Sequence, residues 1–158
     1  MGDYTIAELQ TLVRAPMMTG LSVAMIDMGL VSTAIEAAAM SKQIAGAAAK
    51  YPANSIIQAA FSEATLKSGE VKLDKPEVKP EEVKSGAMIE EAIADINAAI
   101  ALVDGKASAP EVMEYKQFIY DCGVAVAEAA GSGLFGTGTK VSAAEAEALD
   151  RFKLVLGL

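Results

Sequence analysis

The clearest periodic pattern of the chain lies between Ala87 and Val103, where isoleucine and valine recur at spacings of four, three, four and three residues. This spacing is typical of an amphipathic helix that buries one stripe of side chains. The stripe consists of Ile89, Ile93, Ile96, Ile100 and Val103, and the acidic residues lie off it. We therefore predict a helix over Ala87–Val103 that packs against a core.

Four helix starts are predicted from Ser or Thr residues that are followed three positions later by Glu. In such a capping box the hydroxyl accepts a bond from a free backbone N–H, and the carboxylate reaches back to the cap residue. The pairs are Thr5 with Glu8, Thr33 with Glu36, Ser108 with Glu111, and Ser142 with Glu145. Stretches rich in alanine and methionine predict further helices over about Pro16–Met28, Ala34–Lys50 and Asn54–Lys67.

The segment Lys67–Gly86 has a different composition, rich in Lys, Glu, Val and Pro. Pro76 and Pro80 forbid a continuous helix there, so we predict a charged linker between two helical halves. Residues 1–158 are interpreted as a single helical domain that contains this linker.

The order helix, glycine turn, capping box and helix occurs more than once, which indicates an internal duplication. The repeated units run from Asp27 to Glu36, from Asp104 to Glu111, and from Glu128 to Glu145. The predicted fold class is all-α, a compact multi-helix bundle with internal duplication.

The composition narrows the classes of partner and compartment. Aromatic residues are only 5% of the 158, so closely packed helices are expected instead of aromatic-rich sheets. The net charge of −8 has no basic stripe to offset it, and we expect no nucleic-acid partner. The lone Cys122 agrees with a reducing compartment. The N-terminus does not match a secretory signal, and the apolar run Ala15–Val31 is short and interrupted by Asp27, so we expect a cytoplasmic protein without a transmembrane segment.

Catalytic motifs are not evident. The chain has no histidine, and no nucleophile with a neighbouring base can be identified. Gly131, Gly133 and Gly136 match the spacing of a dinucleotide fingerprint, but a predicted helix precedes them where that motif needs a strand. We interpret this loop as a helix-to-helix connector.

Carboxylates at the turns and capping boxes are candidate metal ligands. They are Asp27, Glu36, Asp104, Glu111 and Glu145. If the turns bring them together, they would offer oxygen ligands suited to Ca, Mg or Mn. Each glutamate is equally explained as a capping partner, and Asp before Gly is ordinary turn chemistry.

Parts of the chain resemble the tellurite-resistance TerB-like family. The most specific segments are Gly123–Glu128, Lys140–Glu145 and Leu149–Gly157, with a weaker match at Asp27–Glu36. The resemblance implies a duplicated all-helical domain, a bacterial stress response to tellurite, and a metal ion held by acidic residues. Carried over by position, those residues are Asp27, Glu36 and Glu145.

Three hypotheses about function follow. The first is a non-enzymatic TerB-like stress-response protein that acts through a divalent cation or a partner. The second is a protein-interaction bundle without a ligand, which binds a protein partner or itself. The third is a metal-assisted hydrolase that uses the same carboxylates.

Overall fold

The computed structural model describes residues 3–26, 32–72, 86–131 and 141–158. Its regular elements there are all α-helices, which confirms the predicted all-α fold class. In chain order the helices are α1 (Ile6–Ala24), α2 (Ser32–Lys50), α3 (Ser55–Phe61), α4 (Glu63–Ser68), α5 (Ala87–Val103), α6 (Ala109–Gly131) and α7 (Ala143–Leu156). Most of the predicted linker and the predicted glycine connector lie outside the described residues.

Helix α1 is the centre of the bundle. It packs against α2, α5 and α6, and α6 also packs along α2. Every residue from Ala15 to Val23 is buried, so this part of α1 is enclosed on all sides. Burial all round a helix is typical of a helix at the centre of a core, and it agrees with the apolar composition of Ala15–Val23.

The helix predicted to begin near Pro16 begins at Ile6 instead, and Pro16 lies inside it. A proline has no N–H, so the carbonyl four residues earlier loses its helical donor. That carbonyl belongs to Leu12, and the buried Tyr115 hydroxyl of α6 donates to it at 2.6 Å. A tertiary hydrogen bond thus replaces the missing backbone bond, and the helix continues.

Two capping boxes form as predicted, at the starts of α1 and α7. The Thr5 N–H donates to Glu8 Oε2 at 2.8 Å, and the Glu8 N–H donates to Thr5 Oγ1 at 3.3 Å. At α7 the Ser142 N–H donates to Glu145 Oε2 at 2.8 Å, and the Glu145 N–H donates to Ser142 Oγ at 3.2 Å. Both starts are therefore set by local sequence.

The start of α2 differs from the one predicted by the capping box at Thr33. Helix α2 begins at Ser32, so Thr33 lies inside the helix and not at its cap position. Glu36 consequently falls in the second helical turn.

Helix α5 has the predicted bounds, and Ile96 and Val103 are buried as predicted, but the other three buried positions lie one residue before the predicted ones. The fully buried residues are Met88, Ala92, Ile96, Ala99 and Val103, and Ile89, Ile93 and Ile100 are only partly buried. The small alanines face the core, because they let α5 come close to α1. Arg14 of α1 pairs with Asp95 at 2.8 Å and with Glu91 at 2.6 Å beside this contact.

The predicted helix Asn54–Lys67 is divided into α3 and α4 at Ser62. Ser62 has an extended backbone and caps α4, since its hydroxyl accepts from the Thr65 N–H at 3.3 Å. Beyond α4, the Gln10 amide of α1 donates to the Lys72 carbonyl and accepts from the Lys72 N–H, at 2.7 and 2.8 Å. The start of the predicted linker is therefore held against α1.

Candidate functional site

The candidate metal ligands lie on different elements. Asp27 falls outside the described residues. Glu36 is in α2 and 2% exposed, and Glu145 is in the first turn of α7 and 3% exposed. Asp104 follows the end of α5 and is exposed, whereas Glu111 is in the first turn of α6. Across residues 3–26, 32–72, 86–131 and 141–158, no group of three or more Asp, Glu or Cys side chains is placed to hold a metal ion.

The Glu111 carboxylate binds the starts of two helices. Its Oε2 accepts from the Ser108 N–H at 2.9 Å and from the Ser108 hydroxyl at 2.6 Å. Its Oε1 accepts from the Ser55 N–H at the start of α3, at 2.9 Å. The hydrogen bonds from Ser108 and Ser55 lower the pKa of Glu111 to about 2, because they stabilise the charged form. Its two oxygens therefore serve as caps.

Asn54 adds a second link at the same corner, although it is not among the candidate residues predicted from the sequence. This fully buried side chain caps α3 by accepting from the Ile57 N–H at 3.0 Å. Its amide donates to the Glu111 carbonyl and to Glu114 Oε2, each at 2.9 Å. Asn directly before a helical stretch is a strong N-cap signal that could have identified it.

An open apolar pocket lies between α1, α2 and α4. Its cavity volume is about 190 Å³. The lining residues are Met17 of α1, Ala37, Met40, Ser41, Ile44 and Ala45 of α2, and Leu66 of α4. Six of these seven side chains are apolar, so the pocket suits an apolar group. The pocket could not be predicted from the sequence, because its lining residues come from three helices that are separated along the chain.

The solvent-facing side of α2 beside this pocket carries mainly small side chains. Ala38, Ser41, Ala45, Gly46 and Ala49 are all exposed and recur at helical spacing, and the exposed Lys42 lies among them. A Cβ built on Gly46 would have no atom within 4 Å. We call this surface the α2 small-residue face. Small residues let another helix approach closely.

A smaller cavity of about 40 Å³ lies between α1, α2 and α6. Ala37 and Met40 line both cavities, so Met40 forms a wall between them. Glu36 also lines the smaller cavity, and the other lining residues, which include Leu21, Ala24 and Val126, are apolar or glycine. Met40 lies directly on Gly20, where a Cβ would come within 2.5 Å of its sulfur.

The single cysteine is buried. Cys122 is 0% exposed in α6, and desolvation by burial raises the pKa of its thiol. It is thus a small core side chain at neutral pH and not a thiolate.

No protein-family model matches the chain, and neither curated proteins nor solved structures include a significant match. Among the helices that the structure describes, none is both long enough and apolar enough to cross a membrane.

Proposed function

We propose that the chain is a non-enzymatic binding protein that holds an amphipathic helix of a protein partner beside α2. The observation that carries this proposal is the open apolar pocket of about 190 Å³ lined by Met17, Ile44 and Leu66. An anchoring side chain on the apolar face of a helix would occupy it. Recognition of a helix by an apolar groove commonly depends on such anchors.

The α2 small-residue face supports a helical occupant. Helix axes pack 8–10 Å apart depending on the side chains between them, and alanine, serine and glycine permit the short end of that range. A helix that lies along Ala38, Ala45 and Ala49 would place one of its anchors over the pocket. The exposed face and the pocket thus form one continuous docking surface.

The net charge of the whole chain favours a basic partner, although Lys42 on the α2 small-residue face is itself basic. The chain has 21 acidic and 13 basic residues, a net charge of −8. Opposite net charges speed the encounter of two proteins and disfavour acidic competitors. The partner helix is therefore proposed to be apolar on one face and rich in lysine or arginine on the other.

The placement of the candidate acids supports a non-enzymatic role. Glu111 and Glu145 accept bonds from backbone N–H groups at helix starts, which gives them a structural task. Cys122 is buried as a neutral thiol.

Binding of model peptides tests the proposal. A fluorescent basic amphipathic peptide of about 18 residues, long enough for several helical turns, is titrated and its anisotropy measured. Ala45→Glu at the pocket wall is expected to weaken binding about tenfold or more, about 1.4 kcal/mol. Ala98→Glu, at an exposed position of α5 outside both the pocket lining and the α2 small-residue face, is the matched control and should weaken binding less. Equal losses in both variants, or no binding to the native chain, would contradict the proposal.

A TerB-like role with a divalent cation, in tellurite stress, is the second candidate. The resemblance of Asp27–Glu36 and Lys140–Glu145 to that family supports it. Melting with and without Ca, Mg and Mn tests this role. A one-site ligand at a hundredfold excess over its Kd stabilises by about 2.7 kcal/mol. The shift should disappear in Glu36→Ala, and the absence of any shift with the native chain would refute the cation.

A further inference from the structure

We infer that the partner helix carries one acidic side chain opposite Lys42, on the flank away from its anchor, and that this ion pair sets the register of the helix on α2. The inference rests on the proposed function, since it concerns the partner of the same docking surface. It adds a single acidic position to a helix that is otherwise proposed to be basic.

Lys42 lies level with the apolar pocket but on the other side of the α2 small-residue face. The α2 residues that line the pocket fall within positions 37–45, on both sides of Lys42 in the sequence. At about 100° per residue, Lys42 is about 60° around the helix from Ala45 and about 160° from Ile44. A helix with its anchor in the pocket would therefore present its opposite flank to Lys42.

The charge of Lys42 is not used within the described part of the fold. The other lysines of α2 and α4 have acidic partners, since Lys50 pairs with Asp121 at 2.8 Å and Lys67 pairs with Glu63. Lys42 is exposed, and no carboxylate among residues 3–26, 32–72, 86–131 and 141–158 pairs with it. Its ammonium group is thus open to a partner.

The surroundings of Lys42 make its charge matter to a helix that docks there. Its neighbours on the face are short, among them Ala38, Gly46 and Ala49. A closely packed helix would cover the aliphatic stem of Lys42 and leave the ammonium at the edge of the contact. Acidic groups are not exposed on α2 between residues 35 and 50, where Glu36 is 2% exposed. A basic side chain of the partner at this place would be repelled, and an acidic one attracted.

A peptide series tests the inference. Glutamate, glutamine or lysine is placed at each position within four residues of the anchor of the basic amphipathic peptide, and binding is followed by anisotropy. At one flank position the glutamate peptide is expected to bind about two to five times more tightly than the glutamine peptide, the range of an exposed ion pair, and the lysine peptide more weakly. Elsewhere glutamate should give no gain, because the chain as a whole is acidic.

Two charge-reversal variants assign the effect to Lys42. Lys42→Glu should invert the order of the three peptides at the flank position, so that lysine binds most tightly. Lys153→Glu changes the net charge by the same amount at an exposed position of α7 and should keep the native order. Both substitutions are at exposed positions, so the fold should tolerate them.

Each other outcome has a distinct meaning. If no position prefers glutamate to glutamine, the inference is overturned and the proposed function stands. If the preference persists in Lys42→Glu, or inverts equally in Lys153→Glu, the assignment to Lys42 is wrong. If none of the peptides binds the native chain, both the inference and the proposed function fail.

Discussion

Pro16 leaves the Leu12 carbonyl without its usual helical donor, and the Tyr115 hydroxyl donates to that carbonyl instead. We predict that this hydrogen bond stabilises the fold because it replaces the missing backbone bond. Tyr115→Phe removes only the hydroxyl and leaves the Leu12 carbonyl buried without that donor. Tyr115 is 0% exposed, so water does not easily replace it. An unsatisfied buried acceptor costs about 1–3 kcal/mol. For a chain of this length, 1 kcal/mol corresponds to about 2–4 °C in Tm, so Tyr115→Phe should lower Tm by several degrees.

Pro16→Ala provides the decisive comparison, because it restores an N–H at the position that normally donates to the Leu12 carbonyl. In that background Tyr115→Phe should cost at least about 1 kcal/mol less, since the helix now satisfies the carbonyl. Urea unfolding followed by helical circular dichroism gives the four free energies of this double-mutant cycle. The effect of Pro16→Ala itself cancels in the comparison. Equal costs of Tyr115→Phe in both backgrounds would refute the explanation.

Three further predictions concern glycine, a buried amide and pH. Gly46→Ala should stabilise the chain by up to about 1 kcal/mol, because alanine favours helix and its Cβ meets open space. Gly123→Ala should give a smaller gain or a loss, because its Cβ would come within 3.1 Å of Leu149. Thermal melts compare the two variants, and an equal gain in both would contradict this prediction. Asn54→Ala should cost about 2–4 kcal/mol in urea unfolding, since it removes a cap and two donated bonds, and a loss below about 0.5 kcal/mol would disprove their importance. Glu111 has a pKa lowered from 4.5 to about 2, so its contribution to the free energy of unfolding is present above pH 4.5 and is lost as the pH falls towards 2. The free energy of unfolding in this range should fall more steeply for the native chain than for Glu111→Gln. Parallel curves of this free energy against pH would exclude the effect.

Local signals predicted those parts of the fold that depend on local chemistry. The boxes at Thr5 and Ser142 formed because both partners lie within one helical turn. The bounds of α5 followed from its periodicity, although the buried line moved towards Ala92 and Ala99. Which neighbouring stripe faces the core is decided by how closely α1 approaches, and a single helix does not contain that information.

Long-range contacts explain where the structure differs from the predictions made from the sequence. Proline usually breaks a helix, but Tyr115 compensates for Pro16 by donating to the carbonyl of Leu12, which lies 103 residues earlier in the sequence. The break at Ser62 was detectable, since Ser followed by Glu63 is an N-cap signal. The apolar pocket was not, because Leu66 and Met17 meet only in the folded chain. For the acidic residues the sequence left capping and metal binding open, and the structure gives capping bonds for Glu111 and Glu145.

The most direct test of the docking surface is a methyl NMR titration of the full chain labelled at methionine. Met17 and Met40 line the pocket, whereas Met113 on α6 is 49% exposed and is not among the lining residues. Addition of the basic amphipathic peptide should shift the Met17 and Met40 methyl signals and leave Met113 unchanged. Unchanged Met17 and Met40 signals at saturating peptide, or a shift at Met113 alone, would contradict binding at this pocket.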